Sequence, residues 1–134
     1  MDLLLRHRWT ASDLDAIHSA LYRHYRETQD NGKHWVRNID PHHVYKSIAD
    51  GSVNAVLVDG YLIVFDVCTP WYNPNVRILE ELLVLRTEPA PGRFRSVTTA
   101  LDILCRAYLC DEIGAGDALQ AGSKLAHVYE RYGY

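Results

Sequence analysis

Residues 78–101 read ILEELLVLRTEPAPGRFRSVTTAL, and the fold turns on how this stretch divides. Ile78 to Arg86 is apolar apart from Glu80, Glu81 and the closing arginine, which suits a buried strand. Thr87 to Arg95 contains two prolines and one glycine and is predicted as a loop. Beyond it, Val97, Ala100, Leu101, Leu104, Tyr108 and Leu109 follow a helical period, which predicts a helix from about Val97 to Asp111. A strand therefore feeds a loop, and the loop feeds a helix start. Helix starts expose unpaired N–H groups and the positive end of the macrodipole, so they attract phosphate. Arg93, Arg95, Ser96 and Thr98 add further donors there, and a pyrophosphate-bearing ligand fits that set. The plainer reading of the same residues is that Ser96 caps the helix and the arginines are solvated.

Upstream, Val53–Val58 and Tyr61–Val67 flank Asp59-Gly60, the strongest short hairpin signal in the chain. Thr69 to Asn75 holds two prolines and an Asn-Pro pair, so it is a loop, and its Trp71 and Tyr72 are placed to wall a pocket. Leu3 to Arg8 suits a first strand. Thr10 and Asp13 have capping-box spacing ahead of a helix with Leu14, Ile17, Leu21, Tyr22 and Tyr25 on its buried face, and Asp30 to Lys33 ends it as a polar turn. Asp40-Pro41 opens a second helix with Val44, Tyr45 and Ile48 inward, and Asp50-Gly51 stops it. Downstream, Gly114 to Leu119 suits a short strand, and Ser123 caps a last helix carrying Leu125, Val128 and Tyr129. This order predicts an α/β or α+β fold with a mixed, largely central sheet, in one domain spanning residues 1–134.

Composition narrows the partners. The formal net charge of -3 offers no global attraction for nucleic acid or an anionic membrane, and Arg6, His7 and Arg8 beside Trp9 are too few for a nucleic-acid surface. No stretch approaches the ~18 apolar residues of a membrane span. The N-terminal Met1-Asp2-Leu3 has an early acid and lacks a small-residue cleavage site, so a cytoplasmic protein is expected. Cys68, Cys105 and Cys110 are odd in number and predict buried free thiols; the last two, five apart on a helix, would point in different directions. Among seven histidines, His42-His43 and His34 show no ligand spacing, so no metal is expected. Gly114-Ala115-Gly116-Asp117 lacks the third glycine of a dinucleotide fingerprint and reads as a turn.

Several segments together resemble the GNAT (Gcn5-related) N-acetyltransferases. Arg8-Trp9-Thr10-Ala11-Ser12-Asp13 resembles that family's first strand entering its first helix, and Glu81-Leu82-Leu83-Val84 resembles its fourth strand. Arg93-Phe94-Arg95-Ser96-Val97-Thr98 aligns with the family's Arg/Gln-x-x-Gly-x-Gly/Ala loop, with Ser96 and Thr98 replacing both glycines. Tyr129-Glu130-Arg131-Tyr132-Gly133-Tyr134 resembles its Tyr-Glu-Lys-x-Gly-Phe ending. Thr69-Pro70-Trp71-Tyr72 leading to Glu81–Arg86 is similar to small, divergent members encoded by tailed bacteriophages.

The resemblance implies a C-terminally short GNAT-like acyl-CoA N-acyltransferase fold that uses acetyl-CoA to acetylate an unspecified amine or protein. It makes Leu83, Val84 and Leu85 the backbone that pairs with the pantetheine arm. Arg93, Phe94, Arg95, Ser96, Val97 and Thr98 become the pyrophosphate loop, with the Ser96 and Thr98 hydroxyls donating to phosphate. Glu80 and Glu81 face opposite ways along the strand, so only one can face the cleft, and the family pattern makes Glu81 the implied base. Tyr129 is the implied acid for the leaving thiolate. Family members continue past the position of Tyr134 with further strands that help form the acceptor site, so a partner subunit could complete it, and pairing in a homo-oligomer could protect the sheet edge. The same resemblance accommodates a catalytically inactive descendant, a phage structural, assembly or host-interaction protein acting in the host cytoplasm or the virion.

Overall fold

Thr10 and Asp13 start the first helix reciprocally: the Thr10 N–H donates to Asp13 Oδ2 at 2.8 Å, and the Asp13 N–H donates to Thr10 Oγ1 at 3.2 Å. The computed structural model describes residues 2–31 and 37–115. In chain order these form β1 (Leu4–Leu5), a 3-10 turn (Arg6–Arg8), α1 (Ala11–Asn31), α2 (Pro41–Asp50), β2 (Asn54–Val58), β3 (Tyr61–Cys68), β4 (Ile78–Arg86), α3 (Arg95–Ala107) and β5 (Glu112–Gly114). Asp30 and Asn31 of the predicted polar turn still belong to α1, while Gly32 and Lys33 and the predicted last helix, with Ser123 and Tyr129, lie outside the described residues.

The first strand is shorter than the apolar run suggested. Only Leu4–Leu5 pairs with β2, and Arg6–Arg8 turns away, with Trp9 Nε1–H donating to Leu4 O at 2.9 Å. Asp40 caps α2 by accepting the N–H groups of His42 and His43 at 3.0 and 3.2 Å, and Pro41 occupies the first helical position. Gly51 ends α2 at φ 84°, a conformation that disfavours any side chain. Asp59 and Gly60, at φ 48° and 80°, form the two-residue turn predicted between β2 and β3.

The described strands form one mixed sheet in the order β1-β2-β3-β4-β5. Neighbours are antiparallel except β4 and β5, which run parallel across the α3 crossover. Alternation sends β-strand residues to two separate cores. Leu57, Leu62, Val64, Leu83 and Leu85 meet Ile17, Ala20, Leu21 and Ile48 of α1 and α2. Val56, Val58, Ile63, Phe65, Leu79 and Val84 meet Val97, Ala100, Leu101 and Leu104 of α3. The chain is thus a mixed α/β domain whose sheet lies between one layer of α1 and α2 and one of α3.

Candidate functional site

Parallel pairing fixes where the site can be. Ile78, Leu79 and Glu80 of β4 pair with Glu112, Ile113 and Gly114 of β5. The Thr87–Phe94 connection therefore leaves the carboxyl end of β4 and enters the start of α3 there. In sheets with parallel crossovers, ligands gather at that end. Midway along β4, Val64 pairs with Leu83 while Phe65 pairs with Glu81, so Leu82 is the extra residue of a β-bulge. The bulge turns Leu82 and Leu83 toward the same α1/α2 layer.

The hairpin turn between β2 and β3 grips this connection. Asp59 O accepts the Gly92 N–H and Gly60 O accepts the Thr87 N–H, each at 2.8 Å. The Tyr61 hydroxyl donates to Gly92 O at 2.9 Å, and its ring meets Phe94 edge-on, with centroids 6.0 Å apart. The Asp59 carboxylate accepts the Ser96 hydroxyl. A carboxylate of the chain itself therefore stands at the positive end of α3, the position where an anion is favoured.

The candidate pyrophosphate residues divide accordingly. Arg93 and Arg95 are exposed, while Phe94 is half-buried against the α3 core. Val97 and Thr98 are buried, at 0% and 6% exposure. The hydroxyls expected to donate to phosphate have partners inside the protein: Ser96 binds Asp59, and Thr98 donates to Arg95 O at 3.0 Å. The first turn of α3 is also tightened, with the Ser96 N–H on Arg93 O and the Val97 N–H on Phe94 O, both at 2.9 Å.

Leu83, Val84 and Leu85 are buried in the carboxyl half of β4, opposite Val64, Ile63 and Leu62 of β3. Glu80 and Glu81 take opposite faces as predicted. Glu80 is exposed and pairs with Asp66, whereas Glu81 is 7% exposed and pairs with Phe65 on the α3 face. Tyr129 lies outside the described residues.

Sequence reasoning missed two features. Asp59 had a visible turn role, but no local signal links it to Ser96. A cavity of about 40 Å³ lies where α1 and α2 cross β4, lined by Leu21, His24, Tyr25, Thr28, Ile39, Pro41, Val44 and Leu83. It has room for about one water or a methyl-sized group, far less than a coenzyme. Trp71 and Tyr72, expected to wall a pocket, are instead 95% and 64% exposed. The loop that carries them bends outward through its own bonds, Asn73 N–H to Pro70 O at 3.2 Å and Asn75 N–H to Asn73 Oδ1 at 3.0 Å.

Among the described residues, no group of three histidine, cysteine or acidic side chains converges as metal ligands would, and no helix is long and apolar enough to cross a membrane. No family model matches the chain, and no curated protein matches it.

Proposed function

We propose that this chain is an acetyl-CoA-dependent N-acetyltransferase-like protein of GNAT-like fold that transfers acetyl to an amine. The observation that carries this reading is the β4–α3–β5 unit. It joins a bulged β4 to a parallel β5 and puts the start of α3, with Arg93 and Arg95 exposed beside it, at the carboxyl end of β4. In this reading the arginines face the pyrophosphate and Leu83–Leu85 line the amide-bearing arm. The acceptor nitrogen attacks the thioester carbonyl, the carbon–sulfur bond breaks, and the nitrogen gives up its proton to Glu81, directly or through water. Tyr129 then protonates the departing thiolate, a role that rests on the resemblance alone.

Calorimetric titration with acetyl-CoA tests the site, with CoA and 3′-dephospho-CoA as comparisons. Dissociation constants of about 1–100 μM support it. No heat at millimolar ligand overturns it. Given binding, Glu81→Gln and Tyr129→Phe are expected to lower turnover, and wild-type turnover in both would overturn the role assignment.

Two observations favour a second reading, a non-catalytic protein of the same fold serving assembly or host interaction. The Asp59 carboxylate already stands at the α3 start, and the Ser96 and Val97 amides are consumed within its first turn. The same titration separates the readings, and steady CoA release with a broad amine panel would exclude the second.

A further inference from the structure

We propose that Cys105 and Cys110 form a dithiol pair at the C-terminus of α3 that closes into an intramolecular disulfide. Five positions apart on a continuing helix, the two side chains would diverge. The helix does not continue. It ends at Ala107, and the chain folds back through a Schellman turn: the Leu109 N–H donates to Arg106 O at 3.1 Å, and the Cys110 N–H donates to Cys105 O at 2.8 Å, with Leu109 at φ 56°. That turn brings together the side chains of the residues at its two outer positions, usually as an apolar contact. Here both are cysteines.

The distances suit a disulfide. A 2.8 Å bond from Cys110 N to Cys105 O, with ordinary covalent geometry on either side, holds the two Cα atoms within about 6.7 Å. Disulfides span about 4.4–6.8 Å between Cα atoms. The Cys105 thiol already points across the turn and donates to Cys110 O at 3.3 Å. Both cysteines are free and half-buried, and the Cys110 side chain packs against the α3 core. Cys68 lies within electrostatic reach of Cys110 but on the other sheet face: Val67 before it faces the α3 core, and the Cys68 thiol donates to Glu80 at 3.9 Å. Burial pushes the Cys68 thiol up first, with the Glu80 and Asp66 charges adding, which slows its competition for an oxidant. Burial also raises Cys105, with Cys110 the next cause, so closure is slow at neutral pH and faster in mild alkali.

The chemistry is thiol–disulfide exchange with a small-molecule disulfide. One thiol loses its proton to solvent, and the thiolate attacks a sulfur of the reagent. The reagent's sulfur–sulfur bond breaks and one thiolate leaves. The second cysteine, deprotonated in turn, attacks the protein-side sulfur of the mixed disulfide and expels the other thiolate. The cysteine pair is oxidised by two electrons, and the reagent is reduced to two thiols.

The test uses the full chain carrying Cys68→Ser, folded and incubated with excess oxidised glutathione at about pH 8.5. The expected product has lost two hydrogens and carries no glutathione. Trypsin cleaves after Arg106, between the two cysteines, so the flanking peptides stay joined until reductant is added. In the same background, Cys105→Ser should stop at one glutathione adduct on Cys110. Two stable adducts on the folded Cys68→Ser protein, dimers linked between molecules, or no reaction until urea is added would each overturn the proposal.

Discussion

Asp59 holds a turn position at φ 48° and presses its carboxylate against Ser96 at the start of α3. Both positions suit an aspartate, since Asp-Gly forms this turn and a negative charge suits a helix start. For a phosphate-bearing ligand the same carboxylate is a resident competitor. Asparagine keeps the turn, because Asn-Gly is at least as good in it, and its side-chain oxygen can still accept from Ser96. Asp59→Asn therefore removes the charge and little else. It is expected to tighten acetyl-CoA binding about two- to five-fold in a calorimetric titration, the equivalent of about 0.3–1 kcal/mol of charge–dipole interaction. Unchanged or weaker binding would mean that the ligand does not use the α3 start. A second carboxylate reports on pH. The Ser52 hydroxyl and N–H donate to Asp50 at 2.6 and 2.8 Å, and these bonds hold its carboxyl below the usual 3.8. A carboxyl lowered on folding contributes stability above its unfolded pKa, and that contribution is lost as pH falls through the folded value. Ser52→Ala removes the hydroxyl's bond, the larger cause. In an NMR titration the Asp50 carboxyl should then move back up toward 3.8.

Among the elements, α3 shows best where sequence reading succeeds and where it stops. The spacing of Val97, Ala100, Leu101 and Leu104 predicts its buried face, and all four are buried. The predicted end at Asp111 is four residues late, because Tyr108 and Leu109 keep the helical spacing after the backbone has left the helix. Glycine normally marks such an end, and here leucine takes the left-handed position. Leu109 is 80% exposed, so its side chain returns little for that strain. Leu109→Gly is expected to stabilise the fold by about 1 kcal/mol, a rise of about 3 °C in Tm by calorimetry. A fall in Tm would show that the exposed leucine makes a contact worth more than the strain. The β2–β3 hairpin was legible because Asp-Gly encodes its turn chemically. The bulge at Leu82 was not, because Leu82 through Leu85 are all apolar and a shift of face leaves no mark in such a run. In the candidate site, residue types at 93–98 signalled a phosphate loop, but the partner of Ser96 comes from 37 residues earlier, a distance no local pattern spans.

At the scale of the whole molecule, the sheet separates, among the described residues, two cores that share no side chain, although neighbouring strand residues serve different ones: Leu62 belongs to the α1/α2 side and Ile63 to the α3 side. Among these residues, the buried side chains of α1 and α2 cluster on one face of the strands and those of α3 on the other. That arrangement makes a quantitative prediction. Ile48 of α2 and Val97 of α3 are both fully buried, on opposite faces. Ile48→Val removes one methylene and should cost about 1 kcal/mol. Val97→Ala removes two methyl groups and should cost about 2 kcal/mol. With no shared partner, the double variant should lose the sum, about 3 kcal/mol, with a coupling below about 0.5 kcal/mol. A domain with the usual stability of about 5–15 kcal/mol stays folded through that loss, so urea unfolding can measure all four corners of the cycle. Additivity would show that the sheet is a stiff divider and that each core relaxes alone. A larger coupling would show that a vacancy on one face is relieved by moving the strands, so that packing behind α1 and α2 reaches the start of α3 and the Asp59–Ser96 contact there. Repeating the acetyl-CoA titration on Ile48→Val distinguishes the two cases at the candidate site: a stiff sheet leaves the affinity unchanged, and a yielding one shifts it.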